Sequence, residues 1–207
     1  HQEDLHLGII IIFITLFFYF FISPNEGIVS VFLNVTSSIS TSGITTYSST
    51  FDISLFFILL TIMGGSLMST SSGIKYVRFY ILCKISYHEI CRLVKPKNIF
   101  NRNLFNSDTI IGDQDSKISF LVFISFIIAM FILSSILTLD NLSFETSFKL
   151  SILTLTNTVT SSLYVTESLN FFNLNSFTKV SLMFFMIFGK IEIIAVLFLI
   201  KKFIFRE

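Results

Sequence analysis

The chain has 207 residues, of which 53% are hydrophobic and only 13% charged, where an ordinary soluble domain carries about 25% charge. Fourteen basic residues against 13 acidic ones give a formal net charge of +1, which leaves no electrostatic footprint for a nucleic acid. A mean hydropathy of +0.81 makes the lipid bilayer the expected partner of much of the surface. Cys83 and Cys91 form no CxxC pair, so neither a zinc site nor a disulfide framework is indicated. The chain opens on His1 without the basic start of a signal peptide, which reads as a fragment or a processed chain.

In chain order, residues 5–22 form an almost unbroken apolar run. Eighteen residues make about 27 Å of helix, close to the roughly 30 Å of hydrocarbon to be crossed. Residues 53–83 start as a second span but meet Gly64 and Gly65, then Ser69, Thr70, Ser71, Ser72 and Gly73, which predicts a broken helix. A basic loop follows over 84–117. Residues 118–139 run without one charge, so in lipid their backbone can satisfy itself only as a helix. A final span is expected over 176–205, interrupted by Lys190 and Glu192. Lys75, Arg78, Lys84, Arg92, Lys95, Lys97, Arg102 and Lys117 lie between the second and third spans, and Lys201, Lys202 and Arg206 follow the fourth. The positive-inside rule puts both regions in the cytoplasm, giving four spans with both ends inside.

The two external segments each hold an apolar stretch too short to cross, residues 27–39 and 144–155, and each stretch leads into a hydroxyl-rich tract, 40–46 and 156–162. Such a layout suggests a re-entrant helix followed by irregular backbone lining a cavity, the one place where such backbone is tolerated at membrane depth. Taken alone, the 40–46 tract reads equally well as an external turn. A shift of 117 residues sets Ser30 on Ser147, Leu33 on Leu150 and Thr41 on Thr158, and makes the chain two copies of one unit, 1–83 and 118–207. The expected fold is an all-α integral membrane protein of two helix–pore-helix–helix repeats, with four transmembrane spans, one broken, and two re-entrant pore helices. Carbonyls supplemented by hydroxyls can replace the hydration shell of a cation without a fixed charge that would hold it too tightly.

The run Ser40, Thr41, Ser42, Gly43, Ile44, Thr45, Thr46, the interruption over 64–75, and Phe188, Gly189, Lys190, Ile191, Glu192 together resemble the Trk/Ktr/HKT superfamily of potassium transporters, most closely the bacterial Trk-type membrane subunit. The resemblance covers essentially the whole chain, which matches the third and fourth of the family's four pore units. It implies that Thr41, Ser42, Gly43 and Ile44 form one quarter of a potassium filter, and Thr158, Val159, Thr160 and Ser161 another. It implies a gate loop that includes Gly64, Gly65, Ser69, Thr70, Gly73 and Lys75. Lys190 stands where the family usually has Arg, in a pattern that Gly189 and Glu192 complete. It either fixes the gate region electrostatically or pairs with another helix. Thr160 stands where the family has Gly, which puts potassium-over-sodium selectivity in question. The implied partners are the N-terminal half that completes the pore, a second complete subunit in a homodimer, and a cytosolic nucleotide-binding regulator; the implied location is the bacterial inner membrane, with no cofactor beyond the transported potassium.

No HExxH, GxSxG or P-loop is present, and no enzymatic activity is expected. His6 and His88 have no second ligand at metal spacing, and Asp113 and Asp115 read as a solvated loop. A non-conducting remnant or assembly partner is the alternative to a working ion path.

Overall fold

The computed structural model describes residues 2–21, 27–46, 51–94, 103–105, 110–140, 142–159 and 174–190. All regular elements among these are helices: α1 Gln2–Phe21, α2 Ile28–Ser40, α3 Phe51–Ile62, α4 Tyr76–Val94, α5 Asp113–Thr138, α6 Phe144–Leu155 and α7 Ser176–Lys190. Isolated bridges join Met63 to Ile74 and Asn103 to Ile110.

Two helices among the described residues, α1 and α5, are long and apolar enough to cross a membrane. Their outward faces carry Ile9, Phe13, Phe20, Leu121, Ile128 and Phe131, all exposed. No water-facing surface would gather such side chains, so lipid or neighbouring protein is their medium. The short helices are the most enclosed elements. Along α6 every residue from Leu150 to Leu155 is buried, and α2 buries Val31, Asn34, Val35, Ser37, Ser38 and Ile39.

Helix α2 packs against α1 and α3, while α6 packs against α5 and α7; contacts of α3 with α6 and of α4 with α5 join the two halves. One core gathers Phe18, Val35, Phe57, Phe126 and Leu153, among others, and a second gathers Leu133, Leu137, Leu150, Leu174 and Leu182. Several hydroxyls of α2 and α6 turn back onto their own helix, while the Asn34 amide nitrogen and the Ser147 hydroxyl are buried without a partner among the described residues. Ser38 donates to the Asn34 carbonyl, Thr154 to that of Leu150 and Thr156 to that of Ile152, at 2.8, 2.6 and 3.0 Å. This back-bonding lets hydroxyls sit in a dry interior at little cost.

Helix ends follow local chemistry. The Gly112 N–H donates to the Asp115 carboxylate at 3.1 Å at the start of α5, where Asp113 and Asp115 also complement the helix dipole. At α6 the Ser143 hydroxyl accepts the Thr146 N–H at 3.3 Å. Ser143→Ala should therefore cost about 1 kcal/mol, read as a lower thermal midpoint by circular dichroism in detergent; an unchanged midpoint would remove the cap from the account.

The polar region over 84–117 is partly helical. Helix α4 carries Lys84, Glu89 and Arg92 on to Val94, and α5 begins at Asp113. A helix that leaves the apolar layer keeps its backbone bonds, and only its side chains change character. Lys84 Nζ donates to the Asn103 carbonyl, tying the end of the connection back to α4. Near α1's start, His6 Nδ1 lies 2.5 Å from the Tyr76 hydroxyl, within a ring cluster that includes Tyr80 and Phe105.

Candidate functional site

The two short helices end in the same way. At α2, Thr41 adopts the left-handed conformation at φ 52°, its N–H donates to the Ser38 carbonyl and the Ser42 N–H to that of Ser37. At α6, Asn157 is left-handed at φ 56°, its N–H donates to Thr154 and the Thr158 N–H to Leu153. Each is a complete Schellman turn. The offset from Thr41 to Asn157, and from Ile28 to Phe144 at the helix starts, is 116 residues. The sequence shift of 117 pairs Thr41 with Thr158 instead. It matched hydroxyls, whereas the equivalence in three dimensions is set by the left-handed turn.

After the first turn, Ser42 and Ile44 are exposed, and Gly43 takes φ 73° with nothing within 4 Å of where a Cβ would stand. Asn34, fully buried in the middle of α2, accepts both the Thr46 N–H at 3.1 Å and the Thr46 hydroxyl at 3.2 Å on Oδ1. The irregular segment is thereby pinned at both ends. After the second turn, Thr158 is fully buried with its hydroxyl on that of Thr156 at 2.9 Å, and Val159 packs against both cores. The Thr158 side chain is thereby enclosed, while Val159 is half-buried. Thr160 and Ser161 lie outside the described residues, as does Glu192.

Between α3 and α4 the chain makes a closed loop over 63–75. Its base is tied by main-chain bonds: Gly64 N–H to the Ile74 carbonyl at 2.7 Å, Ile74 N–H to Ile62 at 3.0 Å and Tyr76 N–H to Gly65 at 3.1 Å. Gly73 adopts φ 84°, and a Cβ there would stand 2.9 Å from the Thr61 carbonyl oxygen. Inside the loop Lys75, 8% exposed, extends Nζ to the Ser69 and Ser71 carbonyls at 2.5 and 2.9 Å. An ammonium held by carbonyls is one way to bury a lysine. The Ser71 hydroxyl accepts the Gly65 N–H at 2.8 Å and meets that of Ser69 at 2.7 Å. Thr70 is exposed beside a cavity of about 460 Å³ lined by Asp4, Gly8, Thr36, Ser40, Ser66 and Thr70, among others.

This loop touches both turns. The Ser72 N–H donates to Thr41 Oγ1 at 2.9 Å, and Asn157 Nδ2 donates to Ser72 Oγ at 3.0 Å. At the tip, the Leu67 N–H donates to a Glu3 carboxylate oxygen at 2.7 Å. Helix α7 arrives at the same place. Asn157 Nδ2 also donates to the Met186 carbonyl at 2.9 Å, Gly189 lies against the Leu155 carbonyl, and Lys190, the last described residue of α7, is exposed. The structure thus brings the 41–46 segment, the 157–159 segment and the loop together around Ser72, while Lys190 shares only the neighbourhood. Sequence reasoning placed Ser72 in the interruption and Asn157 in the 156–162 tract, but gave neither a role of its own. An asparagine just past an apolar helix is a known signal for a left-handed turn, and it was available at Asn157.

Buried short helices, the interruption between α3 and α4 and two long helices with exposed apolar faces make the described residues an all-helical fold of membrane-protein class. The fold matches the crystal structure of the potassium transporter TrkH from Vibrio parahaemolyticus with a TM-score of 0.75 at 21% identity, over 95% of this chain and 42% of that one. In sequence the chain is 31% identical over 155 residues to the Trk system potassium uptake protein TrkG of Escherichia coli, which is 74% of this chain. Both are transport proteins rather than enzymes. No family model matches the sequence. The chain is a relative of the Trk-type potassium transporters, and it spans about a third of the length of the curated relative it matches.

Proposed function

We propose that the chain supplies part of the ion path of a Trk-type potassium uptake system. The observation that carries this reading is the pair of matching left-handed turns, Thr41 and Asn157, at the ends of two buried short helices, both bonded to one residue of the intervening loop. In this reading the helices group as two units, α1, α2 and α3–α4, then α5, α6 and α7, with α2 and α6 as re-entrant pore helices. Thr41, Ser42, Gly43 and Ile44 line one side of the path. Carbonyls of Thr158 and Val159, continuing through Thr160 and Ser161, line another. Potassium sheds water onto these oxygens and moves passively down its electrochemical gradient. The 63–75 loop obstructs the path until displaced, and Lys190 and Glu192 set the charge on its cytoplasmic side.

Two such units enclose half a ring, so a working pore needs two more, from a preceding segment or from a partner chain. In this reading the chain sits in the inner membrane with both ends in the cytoplasm, and its partners are a second complete subunit in a homodimer and a cytosolic nucleotide-binding regulator. No cofactor enters this reading.

Rubidium uptake in cells lacking their own potassium uptake systems tests it, comparing this chain alone with the chain joined to the N-terminal half of a Trk-type subunit. Uptake by the joined form is expected, with loss of at least about tenfold in Gly43→Asp, since a carboxylate at φ 73° both strains the turn and holds a cation too tightly. A joined form that inserts into the membrane and takes up no rubidium would point to a non-conducting assembly protein. Sodium competition in the same assay reads the selectivity that Thr160 bears on.

A further inference from the structure

We propose that Ser72 is a latch that couples the position of the 63–75 loop to the geometry of both helix-end turns. The proposal rests on the reading above for its consequence in transport, though not for the contact itself. Ser72 is 3% exposed and bonds outward in two directions, through its N–H to Thr41 Oγ1 and through its hydroxyl to Asn157 Nδ2. The hydrogen bonds that Lys75, Ser69 and Ser71 make here stay within the loop. Lys75 on Ser69 and Ser71, and Ser71 on Gly65 and Ser69, would travel with the loop as one body.

Displacing that body breaks the two Ser72 bonds and the Leu67–Glu3 bond, and leaves the base rungs intact. The two turns feel the loss directly. Thr41 is a β-branched residue at positive φ, a conformation that persists only where its surroundings hold it. Its side chain is held by the Ser72 N–H, and the residue after it, Ser42, begins the irregular segment. Asn157 shares its Nδ2 between Ser72 and Met186, so releasing Ser72 also frees Asn157 to reorient against α7. One residue therefore reports loop position to both turns at once, and by linkage the state of either turn biases the loop.

Hydrogen–deuterium exchange at the Ser72 amide, measured on the chain in membranes with and without the N-terminal half of a Trk-type subunit, tests the latch. Thr41→Val removes the acceptor while keeping the branched shape, and Thr41→Ser restores it. Exchange about tenfold or more faster in Thr41→Val and near wild type in Thr41→Ser is expected. Equal exchange in all three overturns the latch. Ser72→Ala, which deletes only the bond from Asn157, should speed exchange at the Ser42 amide, so that the two turns are seen to be coupled; unchanged exchange there overturns the coupling. In the rubidium assay Ser72→Ala should raise uptake several-fold, and an unchanged rate would confine the latch to the resting structure. Failure of the parent chain to take up rubidium, alongside the expected exchange pattern, would count against the transport reading and leave the latch standing.

Discussion

Replacing Gly189 with alanine should prevent normal accumulation of the protein in the membrane, or lower its stability by about 3 kcal/mol or more where it does accumulate. A Cβ at 189 would lie 1.8 Å from the Leu155 carbonyl oxygen and 2.6 Å from its carbon. Both are main-chain atoms in the buried C-terminal half of α6, so neither can swing away, and α7 must move as a body. Overpacking a dense interior costs about 1–3 kcal/mol even where side chains can adjust. Here the displaced helix would also lose the bond from Asn157 to the Met186 carbonyl. Because the chain has no tryptophan, circular dichroism or thermal size-exclusion in detergent is the suitable readout. Wild-type accumulation and an unchanged melting profile for Gly189→Ala would mean that α7 does not approach α6 this closely.

The second large effect is expected at Gly64. An alanine Cβ there would stand 2.5 Å from the Ser72 carbonyl oxygen and 3.1 Å from that of Ile74. The loop would have to open at its base, breaking the Gly64–Ile74 rung and carrying Ser72 away from Thr41 and Asn157. Stability should fall by about 2 kcal/mol, and a protease should cut within 66–71 at least about tenfold faster. The neighbouring Gly65 is the internal control. There the nearest atom to a Cβ is the Ser69 hydroxyl at 2.8 Å, the end of a side chain that can rotate. Gly65→Ala should therefore resist protease nearly as the parent does. Equal cleavage of the two variants would show that main-chain crowding at Gly64 does not hold the loop.

The long elements were legible because lipid imposes a one-dimensional rule: an uncharged run of sufficient length must be helical. The runs that became α1 and α5 announce themselves in this way, and the interruption after Met63 is visible because Gly64, Gly65 and Gly73 break an apolar pattern. The course of α4 was not legible by the same rule. From its middle onward it carries Lys84, Glu89 and Arg92, and a polar helix has the composition of a loop. At the candidate site, residue type pointed to the 41–46 tract and to the loop but not to the contact that joins them. Ser72 looked like any of its serine neighbours. Its importance comes from a distance of 31 residues to Thr41 on one side and 85 to Asn157 on the other, pairings that no local pattern encodes. The one-residue difference in repeat offset has a related origin, since backbone handedness at Asn157 leaves no trace in a comparison of hydroxyl positions.

The loop between α3 and α4 is fastened in two chemically different ways. Its base rungs are main-chain bonds, indifferent to side-chain identity so long as positions 64 and 73 remain glycine. Its tip and crown hang on three side chains, Glu3, Thr41 and Asn157, contributed by three separate stretches of chain. Inherited changes at those three positions can stiffen or slacken the loop in small independent steps while the architecture persists. The fold thus separates what must be preserved from what selection is free to adjust, and variation among natural versions of this chain should collect at the fastenings rather than at the frame.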